Sequence, residues 1–315
     1  MSQQLDADVA RHLPVDRFGT VRELTPLNDG LSGATVYAAT TDHGEFVVRV
    51  LPPHEAESWP RQRTMLRLAA EQGIAPPLLW VNDDARVTVS TRIIGPRFAA
   101  ALGDPDARGR SIASLVALLA RLHAMPADGV EHLDPLVAVR QLWSDQSVRD
   151  GFPSWALPLA IQLDRVHERT AADPRRAPSH NDLNPGNVLW DGTRVWIVDW
   201  SASGMTHPYY DLATISMFLQ LPDDAALALL AAQEGTSVTA DQAETFRGLR
   251  RVAATISALT LMKLIPAIAM RAPERMEDAH SLGEFYARLR TGALTLRSIE
   301  AQQMFALALL RVALS

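Results

Sequence analysis

Cysteine does not occur anywhere in the 315 residues. Its absence excludes disulfides, thiolate nucleophiles and cysteine-ligated zinc. Lysine is nearly as scarce, with Lys263 alone beside 29 arginines. A G-x-x-x-x-G-K-[ST] phosphate loop needs a lysine behind a glycine-rich turn. Lys263 lies instead in the apolar stretch TLMKLIPAIAM, where a snorkelling helix lysine is the plain reading. No G-x-S-x-G elbow is present, so serine-hydrolase chemistry is disfavoured. No histidine pair has the H-E-x-x-H spacing of a zinc site. Apolar runs of membrane-spanning length are also missing. The start, MSQQLDADVARHLP, lacks the basic and apolar regions of a secretory signal. A cytoplasmic protein is the expectation. Positive charge is in deficit, with a formal net charge of −6. That argues against a nucleic-acid partner, which needs clustered Lys and Arg, and mildly favours a cationic ligand.

What is present is an ordinary globular composition, 47% hydrophobic, with length enough for two domains or two lobes. The first hundred residues read as β-structure. TVRELTPL (20–27), ATVYAAT (34–40) and EFVVRVL (45–51) are short, rich in Val and Thr, and bounded by turn residues. A helix over 61–72 ends at Gly73, and strands follow at 77–81 and 86–94. The segment 95–110, GPRFAAALGDPDARGR, has the Gly, Pro and charged composition of a linker. Ile112, Leu115, Val116, Leu119 and Leu122 then share one helix face, and helical patterns dominate beyond residue 200. The fold class is α+β: a β-rich lobe over 1–94, a linker over 95–110, and a helical lobe over 111–315.

One polar stretch interrupts the helical lobe. SHNDLNPGNVLW (179–190) runs into a hairpin of NVLW (187–190) and RVWIVDW (194–200) joined by DGT. Asp182 and Asn187 lie five positions apart on the entering loop, and Asp199 ends the second strand after Val195, Ile197 and Val198. A carboxylate emerging from an apolar run needs a partner. One carboxylate and one amide oxygen suit a hard divalent cation such as Mg2+. A further carboxylate kept off the metal can hold a hydroxyl and accept its proton. Together these make the layout of a phosphoryl-transfer site.

The string His180-Asn181-Asp182, then Asn187, then IVDW with Asp199, then DLA at 211–213, resembles the aminoglycoside phosphotransferase / choline kinase family. LNDGLSGATVY, FVVRV, GIAPPLL and LLARLHAMP are similar to family text in the same order, and the resemblance covers roughly residues 20 to 220. These are small-molecule kinases with a protein-kinase-like two-lobed fold. The resemblance implies ATP and Mg2+ as cofactors, with Asp182 the catalytic base and His180 bracing its loop. It implies Asn187 and Asp199 as metal ligands, and Asp211 as a structural acceptor for the catalytic loop. It gives Gly30, Ser32 and Gly33 the turn over the phosphates, Arg49 the place of the phosphate-gripping lysine, and the backbone of Arg92 and Ile93 the adenine hinge.

The family pattern pairs that gripping cation with a glutamate on the next helix. Here SWPRQRTMLRL offers Gln62 between Arg61 and Arg63, with Glu55 and Glu57 just upstream as substitutes. The spelling HND in place of HGD resembles the choline, ethanolamine and thiamine kinase branch. Trp143, Trp155, Trp200, Tyr209, Tyr210 and Tyr286 are candidates for an aromatic wall around a cationic acceptor, against a plain role in the core. The acceptor is therefore expected to be a hydroxyl on a small, amine-bearing metabolite. Aminoglycoside or other antibiotic O-phosphorylation is the alternative, and a catalytically inactive nucleotide-binding scaffold is the alternative of another class.

Overall fold

The computed structural model describes residues 9–27, 35–96, 98–266 and 269–315. A short helix, α1 (Val15–Phe18), leads into a sheet. Its strands are β1 (Val21–Pro26), β2 (Thr35–Thr41), β3 (Gly44–Val50), β4 (Leu78–Asn82) and β5 (Val87–Thr91). They lie in the order β1-β2-β3-β5-β4, all antiparallel. Phe18, Tyr37, Ala39, Val48, Val87 and Val89 are buried together in its core. Val, Tyr and Phe fit such a pleated, half-covered surface because their branched or flat side chains lose little freedom there. Helix α2 (Trp59–Glu71) follows β3, and Gly73 ends it in the left-handed conformation, φ +64°.

Two helices, α3 (Phe98–Gly103) and α4 (Pro105–His123), occupy the segment whose composition reads as linker. The physical reason is local. The Asp104 side chain caps α4 by accepting from the Asp106 N–H at 2.9 Å, and Pro105 starts the helix where its missing N–H costs nothing.

Contacts group the chain into two units, Met1–Glu131 with Pro185–Gly204, and His132–Asn184 with Met205–Ser315. The first unit therefore includes the hairpin of β7 (Val188–Trp190) and β8 (Val195–Ile197), counted after β6 (Ala177–Ser179). Bonds to the rest of that unit hold the hairpin's second strand. Ile197 N–H donates to the Ile74 carbonyl at 3.0 Å, Val195 N–H to Ser114 Oγ at 2.9 Å, and Arg194 Nη2 to the Gly73 carbonyl at 3.2 Å.

The second unit is helical. It contains α5 (Pro135–Ser144), α6 (Gln146–Gly151), α7 (Leu159–Ala172), α8 (Tyr210–Phe218), α9 (Asp223–Glu234), α10 (Ala240–Leu264), α11 (Leu282–Arg290) and α12 (Ile299–Leu314). Helix α10 starts at a capping box of Thr239 and Gln242 and packs against α12, α8, α5 and α7. No helix of the described residues is long and apolar enough to cross a membrane.

Candidate active site

The hairpin sets Asn187 and Asp199 at one of its ends. The register pairs Val188 with Ile197 and Trp190 with Val195, and the Val198 N–H donates to the Asn187 carbonyl at 3.0 Å. Asn187 thus stands beside the backbone that carries Asp199. The turn out of β8 is sharp. Asp199 has φ +63°, a left-handed backbone that is sparsely populated for residues other than glycine and is tolerated best by Asn and Asp. Trp200 anchors the turn from inside, buried and donating Nε1–H to the Ile197 carbonyl at 3.2 Å.

Arg49 of β3 meets this carboxylate. Its Nη2 lies 3.2 Å from Asp199 Oδ1, with the two side chains only 16% and 21% exposed. Its Nη1 donates to Gln62 Oε1, also at 3.2 Å. Gln62, on α2, takes the place at which a glutamate was sought, and it is 3% exposed. Its own Nε2 donates to Ser58 Oγ at 2.7 Å, and that hydroxyl donates to the Glu55 carbonyl at 2.7 Å. Neither upstream acid takes up the role suggested for it. The Glu55 carboxylate sits 3.9 Å from His54 Nε2, Glu57 is exposed, and a buried amide partners Arg49. Arg61, one residue before Gln62, donates to the Ser201 and Ser203 carbonyls just after Asp199. Burial pulls its pKa downward, opposed by Glu131 at 3.2 Å.

The loop bearing Asp182 belongs to the second unit, and its bracing is of another kind. Asp211, fully buried in the first turn of α8, accepts the His180 N–H at 2.9 Å and the Asn181 N–H at 2.8 Å. His180 is fully buried. Asn181 has φ +67°, a left-handed backbone that Gly and Asn adopt at least cost. Asn184, which the sequence reading passed over, donates Nδ2–H to Asp182 Oδ1 at 3.1 Å, while its N–H donates to the Asp182 carbonyl at 2.9 Å. The D-x-N spacing is the signal that could have found it, since short polar side chains bond locally two residues away. Tyr210 is buried, and its phenol pKa is raised first by desolvation and then by the charges of Asp182 and Asp211.

Other expected positions fare differently. Gly30, Ser32 and Gly33 lie outside the described residues. Arg92, just past β5, turns its side chain to Glu45 at 3.3 Å on the surface. Of the aromatic candidates, Trp200, Tyr209 and Tyr210 are buried. Trp155 donates Nε1–H to the Pro273 carbonyl at 3.1 Å. Tyr286 packs with Phe285 and Phe305. Trp143 is 37% exposed and meets Phe152 edge-on, so it is the aromatic of the set that keeps most surface.

The donor set fits a hard cation by its chemistry: one carboxylate and one amide oxygen on adjoining backbone. Mg2+ takes one or two such ligands from protein and the rest from phosphates and water. Among the described residues no cluster of three or more His, Asp or Glu could hold a metal, so an all-protein cage is not what this hairpin offers.

Sheet, helical unit and hairpin together define a kinase-like two-lobed fold. The model of the Phosphotransferase enzyme family matches residues 23–245, and the chain belongs to that family. Among solved structures it is similar to a choline/ethanolamine kinase family protein from Mesorhizobium loti. That pair shares 19% identity and a TM-score of 0.69, covering 98% of this chain and 99% of the other. Choline kinase LicA from Streptococcus pneumoniae gives 16% identity and a TM-score of 0.66, covering 98% of each. An aminoglycoside phosphotransferase from Streptomyces rimosus, solved with ADP and streptomycin, gives 18% identity and a TM-score of 0.56 over 80% of this chain and 99% of that one. Protein LicA of Haemophilus influenzae is 43% identical over 53 residues, which is 17% of this chain. The matched part spans only 20% of that relative's own length.

Proposed function

We propose that the protein transfers the γ-phosphoryl group of ATP to a hydroxyl on a small, amine-bearing metabolite of the choline, ethanolamine or thiamine kind. The observation that carries this reading is the contrast in how its acids are held. Asp182 accepts from Asn184 Nδ2 at 3.1 Å and would take the acceptor proton. The acceptor oxygen then bonds to the γ-phosphorus, the bond from that phosphorus to the β–γ bridging oxygen breaks, and ADP leaves. His180 and Asp211 fix the loop, so that Asp182 is positioned before substrate arrives. Asn187 and Asp199 would hold Mg2+, which supplies charge neutralisation at the nucleotide phosphates. Arg49 would grip those phosphates as the lysine of other kinases does. The backbone of Arg92 and Ile93 and the turn at Gly30, Ser32 and Gly33 remain its proposed nucleotide contacts. The expected compartment is the cytoplasm, where ATP is available as donor.

Choline-type neighbours align over 98% of this chain and aminoglycoside phosphotransferases over 80% and 94%, so both kinds share the fold and coverage does not rank their acceptors. The HND spelling, which resembles the choline, ethanolamine and thiamine kinase branch, also suits the left-handed backbone at Asn181. The inactive-scaffold reading leaned on the missing glutamate, and Gln62 fills that place.

The test is ADP release by purified protein with ATP and Mg2+ against choline, ethanolamine, thiamine and several aminoglycosides. Turnover with one of the first three supports the reading. Turnover with kanamycin alone would turn it to antibiotic modification, and a thermal shift with nucleotide but no turnover with any acceptor would turn it to an inactive nucleotide-binding scaffold.

A further inference from the structure

We propose that Arg49 is the resident counter-ion of Asp199 and that it makes binding of a divalent cation depend on a nucleotide polyphosphate. The inference rests on the reading of Asn187 and Asp199 as cation ligands. It concerns how this chain differs from the kinase arrangement, in which a lysine is neutralised by a glutamate and the metal-binding aspartate keeps its charge. Here the partner from α2 is a neutral amide. Among the described residues the carboxylate paired with Arg49 is Asp199 itself, at 3.2 Å and largely shielded from water.

Arg49 contributes one positive charge and Asp199 one negative charge, while Gln62 and Asn187 contribute none. A divalent cation entering alone meets a carboxylate already neutralised, with a guanidinium beside it. Like charges at such separations, away from bulk water, repel strongly. Gln62 cannot relieve the conflict by turning. Its Nε2 is fixed on Ser58 Oγ at 2.7 Å, and that hydroxyl is fixed on the Glu55 carbonyl at 2.7 Å, which holds Oε1 toward Arg49. Arg61 adds a second positive group at the carbonyls of Ser201 and Ser203, just beyond Asp199.

The guanidinium also carries the means of its release. Nε of Arg49 is buried and has no hydrogen-bond partner among the described residues. A buried N–H without an acceptor is costly, and a guanidinium fork matches a phosphate better than it matches one carboxylate oxygen. Phosphate oxygens would satisfy Nε and draw Arg49 from Asp199, exposing the carboxylate to the cation that accompanies the nucleotide. The cation site is thus formed by the nucleotide and is weak without it.

Mn2+ serves as the probe, with free ion counted by electron paramagnetic resonance in titrations of the full chain without nucleotide. Arg49→Gln should bind Mn2+ about tenfold more tightly than wild type, and Gln62→Glu about threefold more tightly, because the new carboxylate draws Arg49 toward itself. Asp199→Asn should lose the gain in both backgrounds, which locates the bound ion. ADP should raise Mn2+ affinity in wild type by a larger factor than in Arg49→Gln. Gln62→Glu is nearly isosteric, so it tests the idea even if Arg49→Gln fails to fold. Titrations of both variants that superimpose on wild type within about twofold, while ADP with Mn2+ still binds, overturn the counter-ion inference and leave the kinase reading standing. Failure of every form to bind ADP with Mn2+ overturns both.

Discussion

Asp199 and Asp211 stand twelve residues apart in the chain, and the fold treats them in opposite ways. Asp211 is fully buried and takes two backbone N–H groups at 2.9 and 2.8 Å. Those partners are part of the main chain and cannot leave. Asp199 is one-fifth exposed and meets the tip of a long, flexible arginine at 3.2 Å. Its partner can be exchanged for another cation. The first carboxylate shapes a loop, and the second is kept available. A carboxylate's job is therefore legible from what kind of group satisfies it.

Substitution separates the two. On the proposed role of Asp199 as a Mg2+ ligand, Asp199→Asn should lower turnover by about 10³-fold, while the melting temperature stays near wild type. Asp211→Ala should do the reverse in rank. It leaves two buried N–H groups without acceptors, at about 1–3 kcal/mol each, and should lower stability by about 2–5 kcal/mol in a denaturant melt. Equal losses of stability in both variants would erase the distinction.

The hairpin that carries Asp199 depends on a close approach that composition hides. A Cβ added at Gly95 would lie 2.2 Å from the Trp190 carbonyl oxygen and 2.9 Å from Asp191 Cα. Both are backbone atoms and cannot swing aside. Gly95→Ala should cost about 1–3 kcal/mol through forced backbone movement, whereas Gly103→Ala, which meets nothing within 4 Å, should cost far less. Paired thermal melts of the two variants check this.

Much of this architecture is written in local pattern. Alternating Val and Thr give the strands, Gly73 gives the end of α2, and the hairpin follows from two short apolar runs around DGT. What local pattern conceals is partnership at a distance. Arg49 and Asp199 are separated by 150 positions, and nothing in either neighbourhood names the other. Gln62 stands in the sequence at the place of the glutamate, but only its burial and its bond from Arg49 show that an amide serves there. The helices at Phe98–Gly103 and Pro105–His123 hide in a Gly- and Pro-rich composition, although the Asp104-Pro105 step is itself a helix start. Positive φ at Asn181 and Asp199 becomes visible only once tertiary packing forces it.

A smaller effect tests whether the second unit's own charge cluster is structural, like Asp211. His207 is 3% exposed, its Nε2 lies 3.0 Å from Asp173 Oδ2, and its Nδ1 accepts the Tyr209 N–H at 3.2 Å. Burial lowers its pKa below the ordinary 6.5, Arg175 and Arg176 add to that, and Asp173 opposes it. The unfolded chain therefore takes up a proton below pH 6.5 that the folded chain refuses. Stability is fully present above pH 6.5 and falls as pH drops toward the folded pKa, by up to about 1.4 kcal/mol per pH unit. Asp173 is also lowered, first by its bond from Arg175, so its own contribution is lost only below 3.8 and does not produce the fall that begins below pH 6.5. His207→Gln should flatten the melting-temperature slope below pH 6.5. A slope unchanged from wild type would assign it to other groups.

The smallest effect concerns the end of β5. The Arg92 side chain forms a surface pair with Glu45 at 3.3 Å, with the two side chains 35% and 42% exposed. Exposed pairs of this kind contribute about 0–1 kcal/mol because solvent screens them and ordering two long side chains costs entropy. The proposed role of Arg92 in nucleotide binding is carried by its backbone, which truncation at Cβ leaves in place. Arg92→Ala should therefore keep ADP affinity within about twofold and stability within about 0.5 kcal/mol. Arg49→Ala, which removes a guanidinium held between Gln62 and Asp199, should weaken ADP far more. Calorimetric titration of both variants with ADP compares an arginine that serves through its backbone with one that serves through its charge. A large loss on truncating Arg92 would move the phosphate-gripping cation out of β3.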